Sequence, residues 1–260
     1  MPIPGSMRAR FPVSIAMALA VTTAAVPAVV RARTETTPEP TFTSGPRAWA
    51  LAATAILSYR NRDRLDILPP DVPSDSMVAD TRDLLHNWWG IDRRSDLMRE
   101  LAWLDREGHR VEFQKRGQFL SEMSDPAYKS WLRETKQSPE DVRRMNLLRD
   151  YYRKHGSSSF VAWDYARYIS LCRWGYAVGF LSRSAAWERM LPAARKIQAH
   201  YHSWAEVGDD YLLARELWSP DETAKSGQYY RDIVAWLNRE PKSVWNHLPW
   251  ATDLGASAAR

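Results

Sequence analysis

The stretch that decides the fold of this chain is Phe160–Phe180, with the sequence FVAWDYARYISLCRWGYAVGF. Its apolar and aromatic residues predict a buried helix, yet the stretch also contains Asp164, Arg167 and Arg173. An ionised group that leaves water without a partner costs several kcal/mol or loses its charge. We therefore expect polar partners elsewhere in the chain to converge on this helix.

Two of these charged residues, Asp164 and Arg167, lie three positions apart and therefore neighbour each other on one helical face. A buried ion pair between them, holding helices in register, is the favoured interpretation. In the functional alternative, Asp164 acts as a general base or a carboxylate ligand and Arg167 binds an anionic group. Glu206 and Glu216 are further carboxylates that could bind the arginines of this helix, and Glu206 is also a candidate ligand-binding residue.

The composition indicates one globular domain with a substantial core. Of 260 residues, 45% are hydrophobic and 12% aromatic, and the 13 tryptophans are spread from Trp49 to Trp250. Aromatic residues distributed in this way predict anchors in one continuous core and its rim. We expect an all-α fold, in which residues 47–250 form a single compact domain of about eight to nine helices.

The charge distribution argues against a nucleic-acid partner. The chain has a formal net charge of +5, but residues 1–34 hold four arginines and no acidic residue. Removing that +4 leaves +1 for the rest of the chain, which is too little for a general attraction to phosphate backbones. We expect no nucleic-acid partner; the partner that we expect is a protein of unknown identity.

Cysteine and histidine usage argues against the commonest metal sites. Cys172 is the only cysteine, so it is expected to be a small buried hydrophobe, with no intramolecular disulfide and no cysteine-based zinc site. His200 and His202 are the one close pair of histidines, and a helix points residues two apart in different directions. We expect no metal and no cofactor.

The two ends of the chain are predicted to lie outside the domain. Residues 1–34 combine an Arg-containing start with an uncharged Ala/Val-rich run and resemble a signal peptide. An uncleaved membrane anchor, an organelle transit peptide and an upstream extension are the alternatives. Residues 35–46 are rich in Thr and Pro and predict a linker, whereas 251–260 predict a frayed tail that follows docking through Trp245 and Trp250.

Localisation depends on this leader. A periplasmic or secreted location is expected if residues 1–34 are a signal peptide, and otherwise a membrane-anchored or cytoplasmic one. Contact with a membrane is expected only through an uncleaved leader.

Helix start signals are the clearest local features of the body. Ser138-Pro139 and Ser219-Pro220 each place a capping serine before a proline at the first helical position, with acidic residues in the first turn. Pro192 interrupts another helical pattern, which is therefore predicted to be one kinked helix or two abutting ones. The sequence GHRVEF at 108–113 has some strand-like character and predicts a turn or a short extended piece.

Two further pairs are candidate site residues. His109 and Arg110 follow a helix end, where capping and hydrogen bonding are the favoured roles; the alternative is a proton-transferring histidine beside a phosphate-binding arginine. Trp88 and Trp89 are adjacent in a helix and cannot both face inward. One is expected to anchor the core and the other to be partly exposed, or to offer a stacking platform for a base, a sugar or a partner side chain.

Several tryptophan-containing blocks recur in an order that resembles a bacterial family. They are WWGI at 88–91, WLDREGHRVEF at 103–113, AWDYARYISLCRWGYAVGF at 162–180, AW at 186–187 and SWAEVGDDYLLARELW at 203–218. They resemble the family of domain of unknown function 1266, over roughly Trp49 to Trp218. The resemblance implies a bacterial, mostly helical domain, and it brings no reaction and no catalytic residues because the family is uncharacterised.

Two functions are compatible with these residues, so whether the chain is an enzyme stays open. The first is a non-catalytic interaction or immunity-type binding protein, favoured by a nearly neutral, Trp-rich body without a recognisable nucleophile or metal set. The second is an enzyme or secreted toxin-like effector that acts on a phosphate- or ester-containing substrate. Its residues would be Asp164, Arg167, His109 and Arg110. A cleft that reaches Asp164 would favour the second function.

Overall fold

The computed structural model describes residues 44–68, 74–156 and 160–255, and within these ranges the chain contains helices and no β-strand. The predicted all-α fold is therefore confirmed. The helices are α1 (Pro46–Ala52), α2 (Ala55–Asn61), α3 (Asp75–Trp89), α4 (Arg94–Arg106), α5 (Gly108–Glu122), α6 (Asp125–Thr135), α7 (Pro139–His155), α8 (Val161–Ala177), α9 (Arg183–His200), α10 (Trp204–Trp218), α11 (Pro220–Arg239) and α12 (Val244–His247). Those from α3 to α11 each have at least 11 residues, in line with the expected number of helices.

The turn or extended piece expected at 108–113 is not formed, because these residues are the first turns of α5. This helix begins at Gly108, almost directly after α4 ends at Arg106. Gly108 has a φ of +58°, a left-handed conformation that glycine adopts without steric cost. A buried carboxylate binds the first N–H groups of α5, as described below, and this stabilises helix in place of an extended chain.

Helix α8 lies at the centre of the domain. Of its 17 residues, 14 are buried, and it packs against α2, α3, α4, α5, α9 and α10. Fully burying one large apolar side chain stabilises a fold by about 1.5–3 kcal/mol, and Trp163, Ile169 and Leu171 are all fully buried. Cys172 is buried in the same helix, as expected, and burial raises the pKa of its thiol.

Tryptophans join the two ends of the domain into one core. The ring centroid of Trp49 lies 4.6 Å from that of Trp204 and 5.1 Å from that of Trp250. The indole N–H of Trp245 donates to the backbone carbonyl of Ala52 over 3.0 Å. The C-terminal segment therefore docks on the first helix through Trp245 and Trp250, as the sequence predicted.

The two predicted helix starts are also confirmed. The hydroxyl of Ser138 accepts a hydrogen bond from Asp141 N over 3.1 Å. The hydroxyl of Ser219 accepts one from Glu222 N over 3.3 Å. Each serine satisfies an N–H group that the helix itself leaves without a partner. Pro192 lies inside α9, which continues through it as one helix.

The leader predicted at 1–34 and the predicted linker as far as residue 43 lie outside the described residues, as does 256–260 of the predicted tail. The first helix begins at Pro46, one residue before the predicted start of the domain. In the described part of the chain, no helix combines the length and the apolar character needed to cross a bilayer.

Candidate functional site

Asp164 is the centre of a buried polar cluster that joins α8 to the junction of α4 and α5. Its side chain is 0% exposed. Asp164 Oδ1 accepts a hydrogen bond from His109 N over 3.0 Å, and Oδ2 accepts one from Arg110 N over 3.1 Å. The carboxylate thus occupies the N-terminus of α5, where unpaired N–H groups and the helix dipole favour a negative charge.

The side chains of His109 and Arg110 bind the same carboxylate. His109 Nδ1 lies 3.2 Å from Oδ1, and Arg110 Nη1 donates to Oδ2 over 3.0 Å. Arg110 also donates to the backbone carbonyls of Leu104 and Asp105, in each case over 2.5 Å. Arg110 therefore ties the last carbonyls of α4 to α8, and these contacts correspond to the capping and hydrogen-bonding role favoured from the sequence.

Gly108 makes the close approach of these helices possible. A β-carbon at this position would overlap the Asp164 carboxylate and the Arg110 guanidinium. The positive φ of Gly108 is a second, independent reason for a glycine. The cluster therefore depends on a residue that has no side chain.

The contacts of this cluster leave Asp164 few roles in catalysis. Each oxygen of Asp164 accepts two bonds from protein donors. Asp164 lines neither of two surface cavities, one bordered by α3 and one between α10 and α11. His109 is 16% exposed at its side chain, and its Nε2 makes no hydrogen bond within the described ranges. Across those ranges, no group of His, Cys, Asp or Glu residues is arranged to hold a metal ion.

The expected ion pair between Asp164 and Arg167 is not formed, because Arg110 takes the position opposite Asp164. The Arg167 guanidinium lies over the ring of Trp163, and its Nη1 donates to the Trp163 carbonyl over 3.2 Å. The ring centroid of Tyr211 lies 5.3 Å from the same guanidinium. Burial, the largest influence, lowers the pKa of Arg167, and the interaction with Tyr211 opposes this shift.

Arg173 binds neutral groups near the start of the domain, and no ion pair among the described residues joins it to Glu206 or Glu216, the carboxylates expected for it. Arg173 Nη1 donates to the hydroxyls of Thr54 and Ser58 over 3.1 and 2.6 Å, and Nη2 donates to the carbonyls of Arg64 and Ile67. Sequence reasoning missed these partners. The available signal was the spacing of Thr54 and Ser58, two polar residues on one face of an Ala-rich segment.

Glu206 serves the start of α10 and not the arginines of α8. Its Oε2 accepts a hydrogen bond from His202 N over 2.8 Å, and its own N–H donates to Ser203 Oγ over 3.2 Å. This reciprocal arrangement resembles a capping box, which the spacing Ser-x-x-Glu signals. A ligand-binding role for Glu206 stays a prediction.

Trp88 and Trp89 separate as the sequence predicted. Trp89 packs partly buried against the core, whereas Trp88 is 67% exposed. All 13 tryptophans lie in the described part of the chain, and Trp88 is the one that is exposed. Helix α3 also borders a cavity of about 230 Å³, whose lining residues are Arg82, Asp83, His86, Ile91, Asp92 and Phe180.

A second polar cluster, which sequence reasoning missed, lies next to the first. Asp105 Oδ1 lies 2.5 Å from Lys196 Nζ and accepts a hydrogen bond from the Tyr165 hydroxyl over 3.1 Å. Burial acts to raise the pKa of Asp105, but the hydrogen bonds from Lys196 and Tyr165 and the charges of Lys196 and Arg110 together outweigh burial and hold that pKa below its ordinary value. Lys196 is 91 positions from Asp105, so no local pattern signalled the cluster.

Comparison with known proteins identifies a family without a known reaction. The model of the family described as "Protein of unknown function (DUF1266)" matches residues 84–250, which is more than half of the chain. The matched range contains Trp88, His109 and Asp164, and it extends further toward the C-terminus than the sequence blocks quoted above. No curated protein and no solved structure matches the chain. The chain therefore belongs to the DUF1266 family of proteins of unknown function.

Proposed function

We propose that the chain is a non-catalytic, immunity-type interaction protein that neutralises a protein partner by binding it through one side of α3. The observation that carries the proposal is the exposure of Trp88. This indole is 67% exposed in a chain whose other tryptophans are all buried or partly buried. Tryptophan is among the residues most enriched at the energetically dominant positions of protein interfaces.

Trp88 stands at the end of an apolar stripe on α3. Met77, Leu84 and Trp88 follow one another at steps of seven and four residues, so in a helix they lie within about 40° of one direction. Met77 is 39% exposed. Leu85 is the one buried residue among the 15 of α3 and holds the helix against the core. Met77 and Trp88, at the two ends of the stripe, are therefore available to a partner, while Leu84 between them is partly buried and helps Leu85 to hold α3 against the core.

Acidic residues accompany the stripe. Helix α3 contains Asp75, Asp80 and Asp83 against one arginine, Arg82, so its formal net charge is −2, and Asp80, about 60° from the direction of Met77, is the acidic residue nearest the stripe. Opposite charges across an interface steer association and disfavour wrong partners. The partner that fits this surface is a protein with an apolar pocket for the indole of Trp88 and basic residues at the rim of that pocket.

The cluster around Asp164 supports a non-catalytic role. A general base must reach the proton that it abstracts. Asp164 is fully buried and bound by donors from His109 and Arg110 at both oxygens. In this proposal, Asp164 holds the domain together and takes no part in chemistry.

Site-specific photocrosslinking tests the proposal. A photoreactive phenylalanine analogue is placed at position 88 and, as the matched control, at position 119, because Phe119 is also a large exposed aromatic residue. We expect one protein to be attached at position 88 and not at position 119. Equal attachment at the two positions would refute the proposal.

The attached protein is then purified and titrated against the wild type and Trp88→Ala. The expected loss of affinity is about thirtyfold, on the order of 2 kcal/mol, as for a central interface tryptophan. An unchanged affinity would also refute the proposal.

An enzymatic or toxin-like activity is the second candidate function, and the orientation of His109 favours it. Asp164 holds Nδ1 of this histidine, and Nε2 makes no hydrogen bond within the described ranges. An imidazole oriented by a carboxylate is a common general base on ester and phosphate substrates. The two arginines that would bind such a substrate are otherwise engaged: Arg110 binds the carbonyls of α4, and Arg167 faces aromatic rings.

Turnover of simple phosphate and carboxyl esters tests this second candidate. His109→Asn retains a donor close to the position of Nδ1 and removes Nε2. An enzyme would lose its turnover in this variant at an unchanged melting temperature. No turnover by the wild type, or equal turnover by the two proteins, would reject the candidate.

A further inference from the structure

A surface cavity of about 220 Å³ lies between α10 and α11 and shares no lining residue with the Asp164 cluster or with α3. Its lining includes two arginines, Arg215 and Arg231, together with Thr223, Tyr230 and Glu216. Pockets for drug-sized ligands are usually about 300–1,000 Å³, so this cavity suits a smaller ligand. Two guanidinium groups on one small cavity point to an anion.

Arg215 is 6% exposed and has no carboxylate partner in the described part of the chain. Its Nη1 donates to the Thr223 hydroxyl over 2.6 Å, and its Nη2 donates to the Ser226 hydroxyl over 2.8 Å. The guanidinium lies 4.0 Å from the ring centroid of Tyr230. A buried charge is stabilised best by an opposite charge. Because the groups around Arg215 are neutral hydroxyls and an aromatic ring, an anionic ligand can still pair with the charge of its guanidinium.

Arg231 reaches the same cavity from the exposed side of α11. Its Nε and Nη2 donate to the side-chain oxygen of Gln228 over 3.1 and 3.0 Å, so this partner is neutral as well. Gly227 also lines the cavity, and a β-carbon there would lie 2.8 Å from Thr223 Cγ2 and 3.2 Å from Arg231 Nη1. A glycine inside a helix is less stabilising than alanine. Its presence here keeps space open next to the guanidinium.

A further positive charge lies behind the cavity on the core side. Tyr211, buried on α10, interacts electrostatically with both Arg167 and Arg215. Burial raises the pKa of the Tyr211 phenol, so the phenol stays neutral and contributes no negative charge. Within the described ranges, Arg167 forms no ion pair either. Asp164 acts electrostatically on Arg167, so the positive charge on the core side of the cavity is partly offset, and Arg215 and Arg231 supply the main attraction for an anion.

We propose that this cavity is a binding site for a phosphoryl group, carried by free phosphate or by a phosphate monoester. Arg215 and Arg231 bind the phosphate oxygens, because guanidinium groups present paired N–H donors that match them. Tyr230 stands beside the site as an aromatic surface for the alcohol part of a monoester. Glu216 also lines the cavity, and its negative charge weakens the binding of an anion.

Isothermal titration of the full chain with inorganic phosphate and with phenyl phosphate tests the proposal. Arg231→Met removes an exposed guanidinium with little effect on folding and is expected to weaken phosphate binding about tenfold. Glu216→Gln removes the opposing charge and is expected to tighten binding severalfold. Arg133→Met, which changes an exposed arginine of α6, is the matched control and is expected to bind phosphate like the wild type.

The outcomes separate the sources of the phosphoryl group. Tighter binding of phenyl phosphate supports a monoester as the ligand, whereas tighter binding of inorganic phosphate supports free phosphate. Equal binding of acetate would overturn the preference for a phosphoryl group. The absence of saturable binding by both phosphate probes, or equal losses in Arg133→Met and Arg231→Met, would overturn the site. None of these variants lies on α3, so the result is independent of partner binding at Trp88.

Discussion

Helices α8 and α3 place their unusual residues in opposite environments. In α8, 14 of 17 residues are buried, and Asp164 and Arg173 are among them. In α3, 1 of 15 residues is buried, and Trp88 is exposed. Asp164 and Arg173 bind groups outside α8 and so join this helix to its neighbours, whereas the indole of α3 remains exposed. On this comparison we propose that α8 stabilises the fold and that α3 binds the partner.

The largest expected effect is on the α8 side of the comparison. Asp164→Ala leaves the Arg110 guanidinium without its carboxylate and removes the acceptor of two N–H groups of α5. Removing one partner of a buried ion pair costs about 3–5 kcal/mol, and we expect urea denaturation to show a loss of this size in the free energy of unfolding. Asp209→Ala, at an exposed position of α10, is the matched control. Comparable losses in the two variants would contradict the architectural role of Asp164.

Gly108→Ala comes next in expected size. The left-handed backbone costs a non-glycine residue about 1–2 kcal/mol, and the added methyl group would also displace the Asp164 carboxylate, so the total loss is expected to be at least about 2 kcal/mol. Gly90 has a similar φ of +62° but no atom within 4 Å of an added β-carbon. Gly90→Ala therefore measures the backbone part alone. Equal losses of unfolding free energy in the two variants would show that close packing at Gly108 contributes nothing.

Local sequence patterns were sufficient to predict most of the fold. The capping roles of Ser138 and Ser219, the burial of the stretch at 160–180 and the separation of Trp88 from Trp89 all follow from residues within a few positions of one another. Helical periodicity decides which of these side chains face the same way. The number of long helices followed from the same signals.

The polar partners of α8 were not predictable in this way, because they depend on how the helices pack. Asp164 was expected to bind Arg167, three positions away, but it binds Arg110, 54 positions away. Arg173 binds Ser58, 115 positions away. Periodicity assigns a residue to a helical face, but it does not say which helix will cover that face. The residues of the candidate site were therefore predicted individually, but the contacts that join Asp164 to His109 and Arg110 were not.

A smaller effect on the free energy of unfolding is expected at the exposed ion pair of Asp105 and Lys196, which contacts Tyr165 of α8. Burial acts to raise the pKa of Asp105, but Lys196, together with Tyr165 and Arg110, outweighs burial and lowers that pKa in the folded state. The resulting stabilisation is present above the unfolded pKa of about 3.9 and is lost as the pH falls through the lower folded value. Both side chains are 45% exposed, so Lys196→Met is expected to cost at most about 1 kcal/mol near neutral pH.

Urea denaturation of the wild type and Lys196→Met across a range of pH values measures this effect. The difference in unfolding free energy between the two proteins is expected to shrink as the pH falls below about 3.9. A difference that stays constant or grows toward acidic pH would show that the charge of Asp105 does not stabilise the fold.

The smallest expected effect is on the α3 side. Trp88→Ala removes an exposed ring and is expected to change the free energy of unfolding by no more than about 0.5 kcal/mol. Trp89→Ala removes the partly buried neighbour, which packs against the core, and is expected to cost more. Thermal denaturation of the two variants side by side measures the difference. A larger loss of unfolding free energy in Trp88→Ala than in Trp89→Ala would show that Trp88 stabilises the fold.

The affinity of folded Trp88→Ala for the protein that crosslinks at position 88 tests the central claim most directly. We predict an unfolding free energy equal to that of the wild type together with about thirtyfold weaker binding. Wild-type affinity in this variant, or weaker binding that appears only with loss of folded structure, would contradict the assignment of binding to α3.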